Sequence, residues 1–237
     1  MQGVAEDRSE RTSVREREPQ KTTRQMARPR LAEPVTRPVR RPLRTFRELV
    51  ADVKTGPLRG EAKLRAALDA FRVDPSGKAA LDVGAAAGGF TTVLLERGAR
   101  IVYAVDAGHG QLRGALRQDK RVVNLEGVNL GDLTRRQVPE PVALFTVDVS
   151  YLSLAAAVPQ LERIEIASGA KLIGLVKPMF ELGLPSAPLD DESVGRALEL
   201  AMAGVERAGW SVEGDVESPV RGARGAREHL LYAKRLG

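Results

Sequence analysis

Residues 79–91 read Ala79-Ala80-Leu81-Asp82-Val83-Gly84-Ala85-Ala86-Ala87-Gly88-Gly89-Phe90-Thr91. A short apolar run, residues 79–83, passes through small residues into the helical pattern of residues 90–97. Working outward, further apolar runs stand at 101–105, 122–125, 142–147 and 172–176. Each is short and lacks a two-residue alternation, which suits strands buried on both faces of a parallel sheet. Between them, residues 111–117, 153–164 and 193–207 carry helical patterns. Ahead of the first strand, Leu64, Ala67, Leu68 and Phe71 form an i, i+3, i+4, i+7 stripe, the mark of an amphipathic helix. The last two runs, 211–216 and 229–233, have no helix between them and are expected to pair as an antiparallel edge. Strands alternating with helices over short connections predict a doubly wound α/β sandwich of Rossmann-like layout.

In such sheets ligands bind beyond the carboxyl ends of the strands, near the point where the strand order reverses. Those ends carry Asp82-Val83-Gly84, Asp106, Asn129 (in the loop after its strand), Asp148 and Lys177. One or two polar residues there could be helix caps. Five in register make a binding site the better explanation. Small side chains in the first turn let a ligand reach the backbone, and the helix start offers free N–H groups and about half a positive charge. The turn is not the dinucleotide fingerprint, because Ala86 stands where the pyrophosphate needs glycine. Asp106 follows 22 residues after Gly84 and suits the two ribose hydroxyls of a nucleoside. A nucleoside carrying a carboxylate in place of a pyrophosphate fits this pattern, and S-adenosylmethionine is such a ligand. The expected cofactor-binding residues are Asp82, Gly84, Ala85, Gly88, Gly89, Phe90, Thr91, Asp106, Asn129 and Asp148.

The chain contains no cysteine, which excludes disulfides, thiolate nucleophiles and zinc–cysteine sites. Its two histidines, His109 and His229, lie far apart in sequence, a poor basis for a catalytic triad or a histidine-rich metal site, and no metal is expected. No run of about 18 apolar residues is present, and the first thirty residues lack the apolar stretch of a signal peptide, so a cytoplasmic location is expected. Charge is unevenly placed. Residues 1–47 hold 13 Lys and Arg against 6 Asp and Glu, whereas residues 48–237 hold 24 against 25. The first segment carries five prolines and no aromatic residue before Phe46. It buries too little apolar surface to offset its ordering entropy, so a disordered basic tail over 1–47 and one folded domain over 48–237 are expected. The tail's surplus charge could tether the protein to phosphates by counterion release.

Several blocks stand in a telling order: Ala80-Leu81-Asp82-Val83-Gly84 with Gly88-Gly89-Phe90-Thr91, Val102-Tyr103-Ala104-Val105-Asp106, Gly110-Gln111-Leu112, Val147-Asp148-Val149-Ser150, Leu175-Val176-Lys177-Pro178-Met179-Phe180-Glu181 and Arg227-Glu228. In this order they resemble the FtsJ-like methyltransferases, and within them the TlyA group of ribosomal RNA 2′-O-methyltransferases, often labelled haemolysins. The resemblance covers about residues 60–235. It implies a methyltransferase fold, S-adenosylmethionine as cofactor and RNA, ribosomal RNA foremost, as partner. It also implies a catalytic set of Lys63, Asp148, Lys177 and Glu228. There are departures. The group's N-terminal RNA-binding domain has no counterpart in the polar, proline-rich residues 1–47. Leu58-Arg59-Gly60-Glu61-Ala62 stands where the group has Ser-Arg-Gly-Gly, and residues 182–191, with Pro185 and Pro188, replace a glycine-rich loop.

Methyl transfer from a sulfonium to a hydroxyl is an in-line displacement, so the nucleophile must be held close and must lose its proton. Lys177, at a strand end, is expected to be the base or the orienting group, with Lys63 as a second cation and Asp148 and Glu228 holding the two amines. The chain has 29 Arg and only 8 Lys, so lysine at a strand end points to a need for a titratable amine. Glu181 is a rival fourth member, in the loop after Lys177. Two other readings compete with the enzyme: a non-catalytic protein that docks on RNA or ribosomes, and an NAD-dependent dehydrogenase, which Ala86 disfavours. A membrane-lytic role finds no amphipathic basic helix and no spanning segment.

Overall fold

The computed structural model of the protein describes residues 57–236. The expected tail, and with it the boundary at residue 47, lies outside these residues. Helix α1 (Arg59–Ala70) leads into strand β1 (Ala79–Val83), followed by α2 (Gly89–Glu96), β2 (Ile101–Asp106), α3 (Gly114–Gln118) and β3 (Val122–Glu126). Then come β4 (Val142–Val147), α4 (Leu154–Ala157), β5 (Ile166–Val176), α5 (Pro178–Glu181), α6 (Asp191–Arg207), β6 (Trp210–Glu217) and β7 (His229–Arg235). The sheet has seven strands in the order β3-β2-β1-β4-β5-β7-β6. The first five run parallel, and β7 is antiparallel to both neighbours. This is the expected Rossmann-like α/β sandwich.

Why these residues take these places follows from burial. All five residues of β1 are buried, because helices cover both faces of the sheet. Leu81 and Val83 face a core shared with Leu154, Leu161 and Val205, while Ala80 faces the opposite core with Leu64, Leu68 and Phe90. Helix α6 begins where the Asp190 carboxylate accepts the Ser193 N–H at 2.7 Å. At the start of α1, the Glu61 side chain reaches back to accept the Leu58 N–H at 2.9 Å.

Several elements differ from the sequence reading. The final two strands do pair, but β7 lies inside the sheet between β5 and β6, and only β6 forms the edge. Its run Leu230–Ala233 is buried throughout, which an edge position could not provide. The helix expected over 153–164 is α-helical only to Ala157 and continues as a 3₁₀ stretch through Arg163, where Pro159 supplies no N–H. The helix expected from Gln111 starts only at Gly114, because the Gln111 and Leu112 amides are given to Glu126. The segment after Lys177 forms the short helix α5 rather than a loop, with Pro178 at its first position.

The strand order reverses between β1 and β4, which leave the sheet side by side. A Cβ on Gly84 would lie 2.3 Å from the Asp148 carbonyl oxygen, and Gly84 has φ +84°. Gly84→Ala therefore meets both a clash and a left-handed backbone. It is expected to cost about 2 kcal/mol or more, lowering Tm by roughly 4–8 °C in a thermal melt.

Candidate active site

The ends of β1, β4 and β5, the start of β7 and the start of α1 surround a cavity of about 660 Å³. Lys63, Asp148, Lys177 and Glu228 all line it. They meet as two ion pairs. Lys63 Nζ lies 2.6 Å from Glu228 Oε2, with both side chains more than nine-tenths buried. Lys177 Nζ lies 2.6 Å from Asp148 Oδ1 and also donates to the Val149 carbonyl at 2.8 Å and to Ser150 Oγ at 2.9 Å. Residues 165 apart in the chain are thus joined through the fold. Glu181 is not among the wall residues; its Oε1 accepts the Leu154 N–H at the start of α4, and burial raises its carboxyl above the ordinary range.

A second cavity of about 300 Å³ lies over the ends of β1, β2 and β3. The two share Gly84, Ala86, Asp148 and Ser150 as walls, so they adjoin at Asp148. Their charges differ. The smaller cavity is lined by two carboxylates, Asp106 and Asp148, and no Lys or Arg. The larger is lined by Arg59, Lys63, Lys177 and Arg224 against Asp148 and Glu228.

The residues expected at the cofactor divide into two groups, with Asn129 in neither. Gly84, Asp106 and Asp148 line the smaller cavity, together with Ala86. Asp106 accepts the Ala86 N–H at 2.8 Å and the Gly108 N–H at 2.7 Å, which fixes its carboxylate at the end of β2. The other group lies behind the turn and holds its shape. Asp82 is fully buried and accepts from Thr91 Oγ1 at 2.6 Å and Thr146 Oγ1 at 2.8 Å, so its carboxylate is committed inside the protein. Ala85 packs against Ala104 and Leu112. A Cβ on Gly88 would strike Leu116, one on Gly89 would come 3.1 Å from Gly60 Cα, and Phe90 is buried against the same glycine. Asn129 is exposed, and its amide bonds Asp132 at 3.3 Å. Ser150 and Gln111 also line the smaller cavity; both stand in blocks that carry the family resemblance, though strand-end position does not single them out, and Thr146 supports the turn from behind. Thr146 carries a signal of its own: a polar residue inside a run buried on both faces must have a partner.

Burial of Asp82 raises its pKa to about 6, opposed by the bonds from Thr91 and Thr146 and assisted by the Asp148 charge. A carboxyl raised in the folded state holds its proton there after the unfolded chain has lost it. Its contribution to stability is therefore largest at low pH and falls as pH rises from about 4 to about 6.

The small cavity fits the cofactor by its donor set. Two carboxylates and no cation suit a ligand bearing positive charge, as S-adenosylmethionine does, and reject a pyrophosphate. Among the described residues no helix is long and apolar enough to cross a membrane, and no group of three or more His, Asp or Glu could hold a metal.

The chain resembles known proteins over nearly all its described length. The FtsJ-like methyltransferase family matches residues 58–235. The 16S/23S rRNA (cytidine-2′-O)-methyltransferase TlyA of Mycobacterium tuberculosis is 41% identical over 182 residues, 74% of this chain and 67% of that protein. A solved structure from Streptococcus thermophilus, named a hemolysin, is 34% identical with a TM-score of 0.71, covering 75% of this chain and 66% of that one. The chain thus spans about two thirds of the length of these relatives. An S-adenosylmethionine dependent methyltransferase of Listeria monocytogenes, at 17% identity and a TM-score of 0.55, covers 75% of this chain and 99% of that one and shares the fold. Fold and cavity together define an S-adenosylmethionine-dependent α/β methyltransferase. Within that class, the chain belongs to the FtsJ-like methyltransferase family.

Replacing Asp82 with Asn removes a titrating group from the core. In urea unfolding, the stability difference between parent and Asp82→Asn should shift against the parent by about 2 kcal/mol between pH 4 and pH 6, the larger part of the roughly 3 kcal/mol that a shift from 3.8 to about 6 carries in full. A difference that stays flat across this range would mean that Asp82 does not titrate there.

Proposed function

We propose that the protein transfers the methyl group of S-adenosylmethionine to a ribose 2′-hydroxyl of RNA, with ribosomal RNA as the substrate. One observation carries this reading: an acidic cavity adjoins a cationic one, and Asp148, on the wall of both, is paired with Lys177 on the wall of the second. A cationic methyl donor suits the first chamber and a polyanionic acceptor the second. When bound, the cofactor supplies an electrophilic methyl carbon on a sulfonium.

In this reading Gly84, Ala86 and Asp106 hold the nucleoside half of the cofactor, and Asp148 stands nearest the methyl group. Lys177 orients the 2′-hydroxyl and receives its proton. Three groups surround its Nζ. The Asp148 carboxylate and the Val149 carbonyl only accept, whereas the Ser150 hydroxyl can accept from an ammonium or donate to an amine. Glu228 pins Lys63 as the second cation of the chamber. Arg59 and Arg224, both exposed on its wall, suit the phosphates that flank the target nucleotide. The TlyA name supports ribose 2′-O and ribosomal RNA as the acceptor.

Mapping 2′-O-methyl positions in total RNA from cells with and without the gene tests the reading. At least one ribosomal position should lose its methyl group with the gene and regain it on complementation. An unchanged map would reject the substrate assignment. The basic segment 1–47 contributes through its charge in the same reading. Its deletion should flatten the dependence of RNA affinity on salt, because each phosphate that the segment no longer neutralises lowers the slope by about 0.7–0.9.

A further inference from the structure

The loop between β2 and α3 forms one side of the smaller cavity, with Gly108 and Gln111 on its wall. This loop has little apolar material of its own; Gln111 is exposed and Leu112 is its buried anchor. What holds it is the last residue of β3. Glu126 Oε1 accepts the Gln111 N–H at 2.5 Å and the Leu112 N–H at 2.9 Å. Its Oε2 accepts from Arg117 Nη2 at 2.6 Å and Asn124 Nδ2 at 2.9 Å. Four donors thus converge on one carboxylate whose side chain is 9% exposed and which does not itself line the cavity. The neighbouring backbone adds two ties, Gly127 N–H to the Gly108 carbonyl at 3.0 Å and Val128 N–H to the Asp106 carbonyl at 3.1 Å. Gly127 is itself fitted to the loop, since a Cβ there would lie 2.1 Å from His109 Cε1.

We propose that Glu126 is a positioning residue for the cofactor: through the amides of Gln111 and Leu112 it holds the loop so that Gln111 closes over the nucleoside half of S-adenosylmethionine. This rests on assigning the smaller cavity to that cofactor and adds the groups that set its affinity. Gln111 is suited to the task. Its side-chain amide already lies over Gly108, where a Cβ would come within 1.8 Å of Nε2, so only glycine lets the amide reach along the wall. An amide offers both donor and acceptor to the hydroxyls and ring nitrogens of a nucleoside. The Asn124 amide foremost, then the Leu112 and Gln111 N–H groups and Arg117, keep the Glu126 carboxyl down at about 2. The clamp therefore stays charged at every working pH.

S-adenosylhomocysteine titrated by calorimetry into the parent, Glu126→Ala and Glu126→Gln tests the proposal, together with amide hydrogen exchange of the free proteins. Glu126→Ala should weaken binding about 10–100-fold, the loss that follows removal of a charged acceptor, and Glu126→Gln about 3–10-fold. Exchange at Gln111 and Leu112 should quicken in both without cofactor. The KM for S-adenosylmethionine should rise with the dissociation constant, while kcat at saturation stays within about twofold of the parent. Gln111→Ala should weaken binding in the parent and cost less in the Glu126→Gln background, since the two act as one unit. If Glu126→Ala does not fold, the glutamine variant and the double mutant decide alone. Faster loop exchange with unchanged affinity would overturn the proposal, as would a fall in kcat at constant KM or strictly additive losses in the double mutant. Failure of the parent itself to bind S-adenosylhomocysteine would instead reject the cofactor assignment on which the proposal rests.

Discussion

A side chain at position 84 would collide with the Asp148 carbonyl, and the arrangement at the ligand end of the sheet depends on its absence. Because β1 and β4 can leave the sheet in contact, the Asp148 N–H bonds the Val83 carbonyl and the Gly84 N–H bonds the Val105 carbonyl, each at 2.8 Å. Three strand ends are tied by two hydrogen bonds at the point where the strand order reverses. Asp148 is thereby fixed on the wall shared by both cavities. Behind this contact, Asp82 links α2 to β4 through Thr91 and Thr146. A buried carboxylate is costly unless its oxygens are satisfied, and here two hydroxyls satisfy it. The turn that faces the ligand is held from inside by groups that never reach it.

The two ion pairs differ in their surroundings, and that difference bears on their work. Lys63 and Glu228 are buried together, and the Cβ of any side chain at Gly222 would lie 2.2 Å from Glu228 Oε1. Arg59 donates to the Arg221 and Gly222 carbonyls and keeps this glycine over the pair. A buried pair contributes little net stability, yet losing one partner strands a charge in the core. Lys177 and Asp148 are more open and share their amine with a hydroxyl and a carbonyl. In the proposed reading the first pair sets the field of the chamber, and the second meets the substrate.

Much of the fold is legible in the sequence because strands buried on both faces read as short apolar runs, and β1 to β4 fall within a residue of their expected limits. The place of β7 is not legible. Local pattern shows that a strand is buried, but the order of strands is decided by long-range packing. The helix expected at Gln111 is shortened by a tertiary bond from Glu126, which no local propensity records. At the site, the polar strand ends Asp106, Asp148 and Lys177 can be read from position alone. Lys63 and Glu228, 165 residues apart, enter only through the family resemblance. Asp82, Thr91 and Phe90 read as ligand contacts in the sequence because a glycine-rich turn marks a binding loop without saying which of its residues face outward. Thr91 stands in the first turn of α2 and points back into the core, where its hydroxyl meets Asp82.

The central claim is that Lys177, held at the boundary of the two chambers, acts on a ribose hydroxyl. Single-turnover transfer of labelled methyl to purified ribosomal RNA, followed by digestion to nucleosides, tests it most directly for the parent and Lys177→Ala. Affinity for S-adenosylhomocysteine is measured on the same preparations. The account predicts label in 2′-O-methylnucleosides and a rate in Lys177→Ala lower by about 10²–10⁴-fold, with cofactor affinity within about threefold of the parent. Label in a methylated base, or a Lys177→Ala enzyme that transfers at near the parental rate, would contradict it.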